Sequence, residues 1–367
     1  MNELESLTVL SGAPLIGSVK TRVLIDTFGS ATHAINAGAD SWLSISGFGP
    51  KLVESWKKWY ASNIWMKNLE LAQKFDVTIL PYTDPKFPKR LLEIKDHPII
   101  LYIKGCITPA DDKSIAVVGT RKSSIYGTEM ARKISSELVD YDFTVISGLA
   151  RGIDTTAHYA ALQNQGRTIA VIGSGLANIY PRENSKLACE IIENGAVISE
   201  FPMNTPPDRQ NFPQRNRIVS GMTLGTLLIE APKKSGAMIT MHQAISQGRK
   251  AFAIPGRADS ENFQGNLQLL KEGKAQLVQN GWEIASNFEK IYDHSLPKKI
   301  MPAPKNTVVL NNEEHSLLSL LPNEELSIDK IVELSKLPVM KINVLLISLL
   351  LKNVIKEYPG KMYKKLV

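Results

Sequence analysis

The chain has 367 residues, 43% of them hydrophobic and 22% charged, the composition of a globular protein with more than one domain and a sizeable core. Two cysteines, Cys106 and Cys189, stand far apart without metal-ligand spacing. This excludes a disulfide scaffold and suits a reducing cytoplasm. The net charge of +7 leans toward polyanionic partners, and no run approaches the ~18 apolar residues of a membrane span, so a cytoplasmic protein that avoids membranes is expected.

Residues 1–65 read as helical, with segments near Lys20–Phe28, Ala31–Ala37 and Pro50–Tyr60. Within them ISGFGPKLV, 45–53, resembles the turn of a helix-hairpin-helix, whose two glycines expose N–H groups beside a helix N-terminus. A plain turn between two helices of a bundle fits the same residues. Residues 66–113 read as a connector, because prolines at 81, 85, 88 and 98 forbid a long helix. From 114 to 292 apolar runs recur at SIAVVG, FTVISG, TIAVIG, AVISEF, TLLIEA, KAFAIP and AQLV, with helical periods between them such as Met130, Ala131, Ile134 and Leu138. Runs that are apolar throughout belong to strands covered on both faces, so the expected fold is α/β, a doubly wound and mainly parallel sheet. Ligands of such sheets bind at the carboxyl ends of the strands. Residues 293–306, with three prolines and three lysines, read as a linker. Three short helices and a hairpin turning at Pro359 and Gly360 complete 307–367 as a winged helix, an arrangement that binds either DNA or protein.

Four segments at strand ends carry candidate chemistry. In VVGTRKSSIYG, Gly119, Thr120, Arg121, Ser123 and Ser124 precede a helix, where free N–H groups, hydroxyls and a guanidinium suit phosphate. Neither G-x-G-x-x-G nor G-x-x-x-x-G-K-[ST] is present, so no dinucleotide or nucleotide cofactor is expected. SGLARGIDTTAH supplies Gly148, Arg151 and Gly152 at a second turn, with Asp154 and His158 on one helix face. Those two side chains suit a general acid–base pair, or a helix cap and a packed histidine. DRQNFPQRNRIVSG sets Arg209, Arg215 and Arg217 around Phe212, the pairing of cation and ring that a single-strand binder needs, or else a solvated cationic helix face. EAPKKSGAMIT places Glu230 at a strand end and Lys233, Lys234, Ser235 and Gly236 at the helix that follows.

These motifs, in this order, resemble the DprA/Smf family: GTR-x-x-S-x-YG at 119–127, SGLA-x-GID-x-x-AH at 147–158, FP-x-RNR-I at 212–218, EA-x-x-x-SG-x-x-IT at 230–240 and GR-x-x-F-x-IPG at 248–256. The resemblance covers essentially the whole chain. It implies an extended Rossmann-like core, a SAM-like helical domain before it and a winged helix after it. It further implies single-stranded DNA binding, self-association as a homodimer through the Rossmann-like core, and loading of the RecA recombinase during DNA uptake and recombination, without enzymatic activity. By position it assigns the DNA pocket to Gly119, Thr120, Arg121, Gly148, Gly152, Lys234 and Ser235. The chain departs from the family at Ala237, where Ser is usual, and at 265–275, where Leu267 and Lys274 replace the usual Asn and Ala. Two other readings compete. TLGTLLIEA loosely resembles the Gly-Thr-x-x-Glu region of nucleoside-monophosphate phosphoribohydrolases, with Glu230 as the catalytic carboxylate, though Ser220, Gly221 and Met222 stand where that group has a two-glycine turn. The winged helix alone would suit a transcription factor.

Overall fold

The computed structural model describes residues 1–289, 310–322, 324–352, 354–358 and 360–366. Two units, Met1–Pro297 and Lys298–Val367, are each described by themselves. The 293–306 linker and Pro359 lie outside the described residues.

The first unit opens with α1 (Glu3–Gly12), α2 (Ser18–Phe28), α3 (Ala31–Asn36), α4 (Pro50–Ala61) and α5 (Ile64–Lys74). A reciprocal capping box starts α1: the Asn2 side chain accepts the Glu5 N–H and Glu5 accepts the Asn2 N–H. Pro50 at the first turn starts α4, after Gly47 turns the chain at φ +87°. Trp42, Phe48 and Trp56 fill the space between these helices, and Trp42 donates its indole N–H to the Ala34 carbonyl. That cluster runs on into Ile100, Tyr102 and Val197 of the sheet, so helices and sheet share one core.

The sheet has nine strands in the order β1-β2-β6-β5-β4-β3-β7-β8-β9. In chain order these are β1 (Thr78–Pro81), β2 (Ile100–Gly105), β3 (Ser114–Val118), β4 (Thr144–Ser147), β5 (Thr168–Val171), β6 (Gly195–Ser199), β7 (Gly225–Leu228), β8 (Lys250–Ala253) and β9 (Gln276–Leu277). Between them run α6 (Lys89–Leu92), α7 (Ile125–Asp140), α8 (Ile153–Gln163), α9 (Ser185–Glu193), α10 (Asn211–Gly221), α11 (Gly236–Ser246) and α12 (Gln264–Lys271), with α13 (Gly281–Ala285) after β9. β3 to β9 are parallel, as their unbroken apolar runs predict, and β3 to β7 are buried along their whole length. The chain steps outward from β3 through β4 and β5 to β6, then returns to place β7 on the other flank of β3. Ile115 therefore lies opposite Val145 on one side and Gly225 on the other, and strand order reverses at β3 and β7. Rossmann-like sheets open a crevice at such a reversal.

One expectation needs correction. Residues 66–113 are more than a connector, since β1 and β2 both join the sheet antiparallel, β2 against β6. The prolines that forbid a helix there stop strands instead: Pro81 ends β1, and Tyr82 turns back to donate to the Ile99 carbonyl.

The second unit packs α14 (Asn312–Leu320), α15 (Ile328–Ser335) and α16 (Val339–Leu351) against a small antiparallel sheet, ordered β10 (Leu326–Ser327), β12 (Met362–Lys365), β11 (Ile355–Tyr358). Leu317, Ile331, Ile342, Leu346 and Leu349 form its core. It is a winged helix. Among the described residues no single helix is long and apolar enough to cross a membrane.

Candidate nucleic-acid interface

Loops from the carboxyl ends of β3, β4 and β7 converge with the start of α10 on a pocket of about 580 Å³ at the strand-order reversal. β3 delivers Gly119, Thr120 and Arg121, β4 delivers Gly148, and β7 delivers Lys234 and Ser235. Backbone contacts hold the loops together: the Thr120 N–H donates to the Glu230 carbonyl at 2.7 Å, and the Ile153 N–H to the Thr120 carbonyl at 3.3 Å. Two glycines are steric requirements. Gly152 sits at φ +74°, where an added Cβ would lie 2.4 Å from the Thr120 oxygen, and a Cβ at Gly148 would lie 2.7 Å from both Arg215 and Asp154.

The helices that follow β3, β4 and β7 begin at this edge, and their starts are not alike. At α7 the buried Glu230 carboxylate accepts the Ser124 N–H and hydroxyl at 2.9 Å each, and the Asn262 amide at 2.9 Å. At α8 the buried Asp154 carboxylate accepts the Gly148 N–H at 3.1 Å and the Ala150 N–H at 3.3 Å. An internal anion thus already occupies each of these two positive ends. At α11 the Ser235 hydroxyl accepts the Met238 N–H, the first turn carries no acidic residue, and open space surrounds Gly236. This start faces the pocket, with the exposed Lys234 beside it. It is where an external anion finds unneutralised N–H groups.

Across the pocket the Arg121 guanidinium lies 5.2 Å from the centre of the Phe212 ring, and Tyr180 stands 6.0 Å from the same ring. Arg121 is exposed and Phe212 half-buried, so one ring face and one cation meet at the mouth. Beneath them Arg215 is buried and donates to the carbonyls of Gly148, at 2.6 Å, and Val171. Burial pushes its guanidinium down to about 10, against the opposing pull of Asp154. Burial likewise pushes the Asp154 carboxyl up to about 6 and the His158 imidazole down to about 3. His158 Nδ1 bonds the Thr168 hydroxyl at 2.7 Å. Asp154 therefore ties down the loop before α8 without capping the helix, and His158 packs against Thr168, so the two do not form a joint acid–base pair.

Of the predicted residues, the pocket brings together Gly119, Thr120, Arg121, Gly148, Phe212, Arg215, Lys234 and Ser235. The others stand apart. Ser123 turns to the Thr128 hydroxyl at 2.9 Å. Gly152 supports the Thr120 loop from behind. Arg151 pairs with Glu183 and lines a smaller cleft with Tyr180 and Phe212. Arg217, expected to contact DNA beside Phe212, is buried against Glu200 at 2.5 Å and Asp96 at 3.3 Å. Its partners are remote in sequence, which is why spacing alone presented it as a free cation. Sequence reasoning missed Asn262, which lines the pocket, and Asn266. The buried Asn266 amide accepts the Ala231 N–H and donates to Leu228, Ile229 and Ile254, fixing the loop after β7. The asparagine sought at 267 stands one residue earlier.

A Rossmann-like core with a cationic, glycine-lined crevice at its switch point, together with a winged helix, is the architecture of a DNA-processing protein class. Residues 78–289 match the family model described as DNA recombination-mediator protein A, and residues 301–361 match the DprA winged helix domain. The chain belongs to this DprA/Smf family. It is 30% identical to Protein Smf of Synechocystis over 95% of this chain and 96% of that one. An X-ray structure of DNA processing protein A from Streptococcus pneumoniae superposes with TM-score 0.65 at 30% identity, covering 80% of this chain and 99% of the other. DNA processing protein A from Helicobacter pylori, solved for its single-stranded DNA binding mode, superposes with TM-score 0.53 at 29% identity, over 59% of this chain and 97% of that one.

Proposed function

We propose that the protein binds single-stranded DNA across the carboxyl edge of its sheet, irrespective of sequence, and passes the strand to the RecA recombinase in the cytoplasm. The observation that carries this reading is the open start of α11 with Lys234 and Ser235, facing the Arg121–Phe212 pair across one pocket. The first offers a phosphate N–H groups and an ammonium, while the second offers a base a ring face that every base can use. Backbone contact plus stacking fixes a strand without reading it. RecA loading rests on membership of the family, and no cofactor or metal enters the reading. Self-association through the core, like RecA loading, rests on membership of the family.

The buried Glu230, saturated by Ser124 and Asn262, lends nothing to the hydrolase alternative. The test is fluorescence anisotropy of single against double strands over a salt series. Neutralising about 4 phosphates on a single strand gives a log–log slope near −3. A flat salt response, or a preference for duplex, overturns the reading.

A further inference from the structure

The third helix of a winged helix normally carries polar and cationic side chains into the DNA major groove. Here α16 presents something else. Its inward face buries Ile342, Leu345, Leu346 and Leu349. On the opposite face stand Met340, Val344, Ile347 and Leu351, exposed by 83%, 66%, 57% and 79%. The four are spaced 4, 3 and 4 residues apart, the repeat of a coiled-coil seam, and fall within one narrow arc of the helix. The two lysines on this helix and at its end are already engaged within the unit, Lys341 by Glu313 and Lys352 by Glu314. A phosphate backbone therefore finds no available cation along α16, and a groove finds apolar side chains.

We infer that this face is an interface between winged helices of two copies of the chain, α16 packing on α16 about a two-fold axis. Three features favour a second copy. A 4-3-4 apolar seam is complementary to itself, as a two-fold contact requires. Its flanks, Lys341 and Ser348 on one side and Asn343 and Leu350 on the other, set no uncompensated like charges against each other. Residues 310–366 carry eight lysines and no arginine against seven acidic residues, so neither copy repels the other and no strongly charged partner is called for. Four such side chains bury on the order of 400 Å² per protomer, below the ~800 Å² per side of a stable interface. The contact is accordingly weak on its own and closes where protomers are already near one another.

The test uses the full chain with Cys106→Ser, Cys189→Ser and Ile347→Cys, oxidised without nucleic acid, so that its outcome is independent of the DNA-binding reading. A disulfide-linked dimer is expected, well above that of a Lys330→Cys control in the same background. Adding Val344→Glu and Leu351→Glu should cut the yield at least about tenfold, because like charges then face each other across the seam. Both positions are in solvent, so the melting temperature should hold. Yields equal to the control, yields unmoved by the glutamates, or an introduced thiol shielded from alkylation in dilute monomeric protein each overturn the inference, the last by placing the face against its own chain.

Discussion

Arg121, Lys234 and Arg217 carry the same charge and have unlike tasks. Arg121 and Lys234 are exposed at the pocket, whereas Arg217 lies buried against Glu200 and Asp96. Arg121→Ala and Lys234→Ala should each cost about 1.5–3 kcal/mol of single-strand affinity in a folded protein and make the salt slope shallower. Arg217→Ala should instead cost about 3–5 kcal/mol of stability by stranding the Glu200 carboxylate, which a urea titration beside the anisotropy assay separates. The motif RNR spelled these residues in sequence but not their partners, because Asp96 and Glu200 arrive through the fold. Asp154 in the pocket lining and the buried His158 give a pH signature. With His158 pushed from its ordinary 6.5 to about 3, the unfolded chain binds the extra proton between those values, so acid withdraws stability. Asp154, raised from 3.8 to about 6, acts in the opposite sense, since there the folded chain holds the proton and stability falls as pH rises. In His158→Gln the first contribution disappears, and urea midpoints at about pH 4 and pH 6 should shift in favour of the acid side by up to about 1.4 kcal/mol per pH unit.

Among the elements, the parallel strands were legible because burial on both faces leaves an unbroken apolar run that no polar alternation disguises. β1 and β2 were not, because prolines at their ends read as breaks before any partner strand is known. The starts of α7 and α8 are similar cases. At both turns the sequence offers glycines and a cation where an external anion could sit, yet the anion comes from within, Asp154 from the helix itself and Glu230 from a strand end 106 residues away. Only the third start, at α11, keeps the form the sequence suggested. Glu230→Ala should therefore act on the helix and not on catalysis, removing about 1–3 kcal/mol of stability by leaving the Ser124 N–H and Asn262 amide without their acceptor. Guanidinium titration measures that loss. Single-strand affinity should stay within about twofold, since Glu230 lies beneath the pocket and not in its lining.

For the whole molecule, contacts divide the chain between Pro297 and Lys298. A chain ending at Pro297 keeps every strand of the nine-stranded sheet and every residue of the pocket. It should unfold in one cooperative transition and still bind single strands. Circular dichroism and anisotropy check this, and aggregation or complete loss of binding would refute the modular arrangement. The winged helix was legible as a fold from its three helices and hairpin. Its outward face was not, because the buried and exposed halves of α16 are equally apolar and only the packing of Ile342, Leu345, Leu346 and Leu349 distinguishes them.

The carboxylates built into the starts of α7 and α8 also bear on what the edge favours. A free nucleoside triphosphate concentrates its charge within a few ångströms and is held best where several N–H-rich loops close on one cluster of phosphates. Glu230 and Asp154 take two of those loops out of use, leaving the α11 start and, across the pocket, a ring and a guanidinium. Such spaced footholds reward a polymer that can reach both and give a lone nucleotide only one. For the strand binding proposed above, this arrangement favours the polymer over the free nucleotide.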